Sequence, residues 1–389
     1  MRKWFPLVLA VIVIIITLLA VELVVSLAAP QRLLTEINAE HPEYEPFNTM
    51  TDFGIMPEPY SEGYRYGERN QKIWVKHNSQ GFRSDDEYYL VPGKTNVALF
   101  GDSRVYGFGN DQDETIGTYI QEQLGDSFNV MNFGVPGWNL DQEFLLYMYL
   151  ALNEDFKADI NVFFIHPNDL SLYLEEFKKP LFMVDNVTDF GFSLFNYPVK
   201  YPKEDYELDM LADKDRRSRA YKGMDPLHRF MLRHSHAYTF FNGFRHRFKR
   251  MDATSEDDVN LAPFRLDAEH IYKKSYRHLC LLSQRMRLDI ETVGSRVIFV
   301  YVPADFQVDE KALEEADKYY YNFDPDNFDM DKMNTILDDC WEGADYVDLT
   351  PVFRQKAKKT RLYNTFLGHW TPEGAELAAG AVAGEILTI

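Results

Sequence analysis

The chain has 389 residues and a formal net charge of −20 at pH 7. That charge argues against nucleic acid as the main partner and favours a soluble, self-repelling body. Hydrophobic residues at 46% suffice for a sizeable core, and the length holds one large domain or two small ones.

The N-terminus stands apart from that body. Residues 1–3 are a short tail carrying Arg2 and Lys3. Trp4 to Val21 is an uncharged apolar run, interrupted by Glu22 and continued by Leu23 to Ala29. About 20 apolar residues cross a bilayer as a helix, so residues 4–28 are expected as a transmembrane signal anchor. Behind the run, Arg32 is the only basic residue among Glu36, Glu40, Glu43 and Glu45. The positive-inside rule then puts the N-terminus in the cytoplasm and the body outside, as a single-pass membrane protein. A cleavable signal peptide is the alternative, because Ser26-Leu27-Ala28 offers small residues at suitable spacing. The apolar run is longer than the about 7–15 residues usual for such a segment. Under this topology Cys280 and Cys340 face the oxidising side, where they form one disulfide or remain two buried thiols.

Residues 29–94 are polar and proline-bearing and read as a stalk and lead-in, with Asn78-Ser-Gln-Gly81-Phe82-Arg83 just before the first core strand. Val97 to Phe100 is an unbroken apolar run, the pattern of a strand buried on both faces of a parallel sheet. It ends in Gly101-Asp102-Ser103, with Gly107 and Gly109 following. A serine in a glycine-rich turn at the C-terminal end of such a strand sits where α/β folds bind ligands, and is a candidate nucleophile. Three related motifs fail. The nucleophile elbow G-x-S-x-G meets Val105 at its last glycine. The dinucleotide fingerprint meets Asn110, Asp111 and Gln112 after Gly109, and a P-loop ending is missing.

Helical spacing follows over Thr115–Leu124, then a short strand from Phe128 runs into the turn Asn132-Phe-Gly-Val-Pro-Gly137. After a helix over Leu145–Leu152, the apolar strand Ile160–Ile165 ends at His166-Pro167-Asn168-Asp169. Residues 170–267 read as an insertion whose second half is basic and amphipathic, and it is expected to pack beside the cleft. Its plain reading is a helix with a solvated basic face; the sharper one is a patch facing anionic lipid or an anionic polymer. His234 and His236 do not have the spacing of a helical metal pair. A helix from Ala268 to Glu291 and a strand over Arg296–Val302 come next. The acidic run Asp324–Asp331 lacks the glycine of a calcium loop. A helix from Lys332 to Glu342 and a last strand at Tyr346–Leu349 lead to His369-Trp370-Thr-Pro-Glu-Gly374 and an alanine-rich helix over Ala375–Leu387.

Ser103 with Gly107-x-Gly109, Gly137, Asn168 and His369 occur in the order and on the elements of the sequence blocks of SGNH (GDSL) hydrolases, which the chain therefore resembles from Asn78 to Ile389, insertion excepted. The Asn-x-x-Gly-Phe-Arg lead-in is similar to that of membrane-anchored members. The His-Trp-Thr-Pro form resembles polysaccharide O-acetyltransferases of the same superfamily. Two positions depart from the pattern. His166 stands where the family usually has glycine, and Phe366 and Leu367 stand where it places an aspartate before the histidine.

The resemblance implies a three-layer α/β/α sandwich with a parallel, flavodoxin-like sheet over residues 95–389. It implies a serine esterase acting through an acyl-enzyme on an extracytoplasmic ester, carbohydrate or lipid, with no metal or organic cofactor. Ser103 is the expected nucleophile and His369 its base; the N–H groups of Ser103 and Gly137 and the amide of Asn168 are the expected oxyanion donors. An O-acetyltransferase acting on a cell-envelope polysaccharide and a catalytically dead glycan- or protein-binding member are the alternatives. Lacking the aspartate, the site is expected to be a Ser103–His369 dyad, with a backbone carbonyl, a water or Asn364 as acceptor for His369 Nδ1.

Overall fold

The computed structural model describes residues 5–28, 48–51, 53–66, 68, 71–153, 156–172, 182–184, 190–192, 226–242, 261–266, 269–319, 323–364 and 368–389. The chain divides into two compact units, one of residues 1–45 and 204–252, the other of residues 46–203 and 253–389. The expected insertion is therefore shared between the two units. Most of it, and with it the expected packing beside the cleft, lies outside the described residues, as do Phe366 and Leu367.

In the first unit, Phe5–Ala28 is one helix of about 36 Å. Its segment Leu9–Ala28 is long and apolar enough to cross a membrane. The same unit holds the helix Pro226–His234 and a second helical segment at 236–242.

The second unit opens with two antiparallel hairpins, where a stalk and lead-in was expected. Strands β1 (Asn48–Thr51) and β2 (Gly54–Pro57) form the first; β3 (Glu62–Tyr66) and β4 (Lys72–Lys76) form the second. The core strands follow as β5 (Thr95–Phe100), β6 (Phe128–Asn132) and β7 (Ile160–Ile165). A small hairpin of β8 (Phe182–Val184) and β9 (Phe190–Phe192) comes before β10 (Arg296–Tyr301) and β11 (Asp345–Asp348). The five core strands are parallel and ordered β6-β5-β7-β10-β11. This is the flavodoxin-like order, whose reversal point lies between β5 and β7.

The continuous apolar strands feed a core on each face of the sheet. Val97 and Leu99 join Ile116, Ile120, Phe353, Ala378 and Val382 on one side; Ala98 and Phe100 join Phe144, Leu279, Met286 and Leu337 on the other. Both faces are thus covered by helices, which is why β5, β7 and β10 show no polar alternation. Phe100 stacks between Phe133 at 5.4 Å and Phe163 at 4.7 Å, so three neighbouring strand ends are held by ring contacts beneath the serine turn. Each such side chain contributes about 1.5–3 kcal/mol on burial. Cys280, on the helix Glu269–Thr292, is disulfide-bonded to Cys340, the last residue of the helix Lys332–Cys340. That settles the open alternative. Closing a loop of this length in the unfolded chain is worth about 4 kcal/mol.

The lead-in motif acts as a brace. Asn78 Oδ1 accepts the N–H groups of Gln80 and Phe82, closing a tight turn in which Gly81 has φ +84°. A side chain at Gly81 would come within 2.7 Å of Pro57 O. Phe82 meets Phe133 edge-on at 4.8 Å, and the buried Arg83 donates to the carbonyls of Gly107 and Asn110. His77, at the end of β4, is buried between Ser61 Oγ and Tyr106 Oη, each 2.8 Å from a ring nitrogen.

Burial, with the charges of Arg65 and Arg83, pushes the His77 imidazole down to about 3. The unfolded chain binds a proton at this residue below its ordinary pKa of about 6.5, and the folded chain does not. Stability from this group is therefore complete above that pH and lost on acidification. Denaturant titration of the detergent-solubilised protein should show a loss of about 2 kcal/mol from this residue between pH 7 and pH 5. His77→Gln should remove that part of the slope; an unchanged slope would refute the assignment.

Candidate active site

Ser103 lies at the first turn after β5, and Asn168 at the first turn after β7. Because β5 and β7 are adjacent and their connections run to opposite sides, both side chains come to the crevice at the sheet's reversal point. Asp102 caps the short helix Ser103–Tyr106, its Oδ1 accepting the Arg104 N–H at 2.8 Å. Its Oδ2 pairs with Arg104 Nη1 at 3.0 Å, so both buried charges are compensated. The turn tolerates no side chain at Gly101, where a Cβ would lie 2.2 Å from Val105 Cγ2. Gly134 is as tightly placed, 2.3 Å from the Tyr106 nitrogen by the same measure, and so lets the loop after β6 approach the serine helix.

His369 is presented by a turn between Tyr363 and Trp370, which form an isolated antiparallel bridge. Asn364 N–H donates to His369 O, and Asn364 Nδ2 to Trp370 O. Thr371 then caps the helix Pro372–Ile386, with Pro372 in its first turn. Gly374 is required because a Cβ would stand 2.3 Å from Leu362 O. The result aims the imidazole at Ser103, with Nε2 at 2.7 Å from Oγ.

The opposite ring nitrogen has a carboxylate partner. Glu68, in the turn between β3 and β4, has Oε1 at 2.6 Å from His369 Nδ1, and its Oε2 accepts the His369 backbone N–H at 3.0 Å. Burial pushes the Glu68 carboxyl up, but the hydrogen bonds and charge of His369 and the charge of Arg104 outweigh it, and the net direction is down. An ionised carboxylate has no hydrogen to give, so Nδ1 carries the proton and Nε2 is free to accept that of Ser103. Gln71 Nε2 donates to Gly109 O at 2.7 Å and Trp74 N–H to Asp111, tying the hairpin to the loop after the serine. The expected dyad is therefore wrong. A carboxylate 301 residues away in sequence lies within hydrogen-bond reach of Nδ1. Asn364, a candidate acceptor, gives way to Glu68 at Nδ1, and its amide N–H donates to Trp370 O.

On the other side of Ser103, Asn168 Oδ1 lies 2.7 Å from His166 Nδ1, and Asn168 Nδ2 lies 3.4 Å from Asp102 Oδ2. His166 is fully buried, and burial with the charges of Arg104 and His369 holds its imidazole neutral, well below the ordinary range. The same Nδ1 also meets the Asn168 backbone N–H at 3.2 Å, so the neutral ring is fastened to Asn168 at two points, with Nδ2 on the side of Asp102. Asp169 Oδ2 in turn accepts the His166 backbone N–H at 2.9 Å. Beneath these residues Glu143 is buried, and desolvation with the charges of Asp169, Asp102 and Asp141 raises its carboxyl well above the usual range, so it keeps its proton. Gly137 occupies the loop after β6 at φ +80°, a conformation that favours glycine. Among the described residues no cluster of three or more His, Cys, Asp or Glu is arranged to hold a metal ion.

Ser103 Oγ is thus hydrogen-bonded to His369, Asn168 lies against Asp102 beside it, and Glu68, His166 and Arg104 complete the cluster. The only signal for Glu68 was indirect. Alternation over Glu62–Tyr66 and Lys72–Lys76 marks a hairpin, but nothing in that pattern separates Glu68 from Glu58, Glu62 or Glu87.

Residues 273–388 match the family model described as SGNH hydrolase-like domain, acetyltransferase AlgX. Among solved structures, a catalytic mutant of the acetylxylan esterase Axe2 from Geobacillus stearothermophilus is 13% identical, covers 76% of this chain and 95% of its own, and has a TM-score of 0.38. A member of the lipolytic G-D-S-L family from Veillonella parvula is 10% identical, with 76% and 97% covered and a TM-score of 0.37. A carbohydrate acetylesterase family member from Sinorhizobium meliloti is 10% identical, with 76% and 98% covered and a TM-score of 0.32. No curated protein matches the chain. With its parallel sheet and its ordered serine, asparagine and histidine blocks, the chain resembles SGNH hydrolases, and residues 273–388 match a model of that family directly.

Proposed function

We propose that the protein acts on ester bonds through a Glu68–His369–Ser103 triad, on an acylated carbohydrate or lipid outside the cytoplasm. The observation that carries this reading is the His369 ring, bonded to Ser103 Oγ at 2.7 Å and to Glu68 at 2.6 Å. Ser103 Oγ attacks the acyl carbonyl as His369 Nε2 takes its proton, and Glu68 stabilises the resulting imidazolium. The negative charge on the carbonyl oxygen is met by the Ser103 and Gly137 N–H groups and Asn168 Nδ2. Collapse breaks the ester bond, and His369 returns the proton to the departing alcohol. A second hydroxyl, from water or from a sugar, then attacks the acyl-Ser103 and restores the enzyme.

The family match, whose description names an acetyltransferase, favours a sugar hydroxyl as the second nucleophile and so O-acetyl transfer to a cell-envelope polysaccharide. The apolar helix Phe5–Ala28 supports a membrane anchor, with Arg2 and Lys3 on the cytoplasmic side and the second unit outside. The Cys280–Cys340 disulfide supports an oxidising compartment.

A fluorophosphonate should label Ser103 and no other serine, and Ser103→Ala should abolish release of acetate from an aryl acetate. Labelling elsewhere, or full activity in the variant, would overturn the nucleophile. Product analysis with an aryl acetate and a soluble polysaccharide separates transfer from hydrolysis, by acetyl on the polymer or in solution. Glu68→Gln should lower kcat on the order of 10³–10⁴-fold, the loss seen when an amide replaces a triad acid; a change below tenfold would return the site to a dyad. Asn168→Ala should lower kcat by about 10²–10³-fold, as loss of one oxyanion donor does. His166→Phe, which removes both hydrogen bonds to Asn168, should give a smaller kcat loss with little change in KM, and His166→Asn, whose amide can hydrogen-bond Asn168, should restore it.

A further inference from the structure

Glu22 is the single charged residue between Trp4 and Ala28. Its carboxylate accepts three hydrogen bonds within its own unit, from Ser235 Oγ at 2.6 Å and from the N–H groups of His236 at 2.6 Å and Ala237 at 3.2 Å. The carboxylate thus caps the helical segment 236–242 and locks it to the long apolar helix. In a bilayer this contact has a depth. With the 24-residue helix centred in a hydrocarbon layer of about 30 Å, Glu22 lies about 7 Å inside the layer's edge. A carboxylate at that level is costly unless it is bonded, and here it is bonded.

The clamped segments present apolar rings outward. Phe230, on the helix Pro226–His234, is 57% exposed, and Phe241 is 58% exposed beside Phe240. The surrounding sequence is strongly basic. From Arg216 to Arg250 there are ten lysines and arginines against one acid, Asp225, in a chain whose net charge is −20. Exposed phenylalanines, basic flanks and an anchor point just below the headgroups are the features of a helix lying in the membrane interface, about 5–10 Å into the headgroup and acyl boundary.

We propose that the helical pair 226–242 is a membrane-surface element, clamped by Glu22 to the spanning helix and seated by Phe230, Phe240 and Phe241 among anionic lipid headgroups. This rests on the reading that Phe5–Ala28 crosses the bilayer. Glu22 is then a locking residue, and the basic segment follows the lipid surface rather than a soluble polymer.

The test uses the full chain, with its disulfide intact, reconstituted in vesicles of phosphatidylethanolamine and phosphatidylglycerol. Nitroxide labels at Ile14→Cys, Phe230→Cys and Phe241→Cys are read by accessibility to oxygen against an aqueous nickel chelate. All three should prefer oxygen, with residues 230 and 241 about 5–10 Å below the headgroups and residue 14 deeper. A lipid-buried residue 14 with water-exposed 230 and 241 would overturn this proposal alone. A water-exposed residue 14 would overturn the spanning reading beneath it. Glu22→Ala should shift the label at 241 toward water while residue 14 stays buried; an unchanged depth would refute the clamp. In pure phosphatidylcholine the two outer labels should become shallower, and an equal depth would refute headgroup recognition. Labels that stay in water on vesicles but are immobilised by soluble dextran sulfate would assign the segment to a polymer and overturn the lipid reading.

Discussion

Everything at the site depends on one imidazole held from both sides. His369 must keep Nδ1 protonated and Nε2 bare, and it does so only because a carboxylate lies against the first nitrogen and a hydroxyl against the second. Those two bonds tie His369 to Glu68 and Ser103, which lie 301 and 266 residues from it in the chain. No local preference can arrange this. It requires the hairpin of β3 and β4, the serine turn after β5 and the final helix to be fixed against a common sheet.

The hairpin is placed by side chains of the lead-in. Arg83 reaches the carbonyls of Gly107 and Asn110, Gln71 reaches Gly109, and Gly81 lets the chain pass beneath Pro57. The Gln71 and Arg83 contacts join the lead-in that carries the acid to the loop that follows the nucleophile. Glu68 also accepts the His369 backbone N–H, so it sets the turn as well as the ring. The carboxylate absent from the positions before the histidine is supplied here from the opposite end of the domain.

Charge beneath the site is managed by pairing and by neutralisation. Asp102 is compensated by Arg104, His166 is held neutral by burial, and Glu143 keeps its proton among three neighbouring acids. A buried charge left alone would cost several kcal/mol. This arrangement leaves Ser103 beside His369 and Asn168, at the cost of stability on acidification, when the buried imidazoles of His77 and His166 must be charged as the chain unfolds.

The buried strands, the apolar N-terminal helix and the turns that carry Ser103, Asn168 and His369 were legible in the sequence, while the order of the strands followed only from the resemblance. Each depends on local periodicity or on a turn whose glycines and caps lie within a few residues of the side chain they aim. The acid was not legible. A hairpin shows its alternation, but which of its carboxylates meets an imidazole depends on how that hairpin docks, and docking is decided by contacts such as Arg83 to Gly107 that cross long stretches of chain. The pairing of Cys280 with Cys340 was open for the same reason, since two thiols become a bond only when their helices pack side by side. Glu22 could be read as an interruption of an apolar run; only the folded chain supplied the helix end that satisfies it.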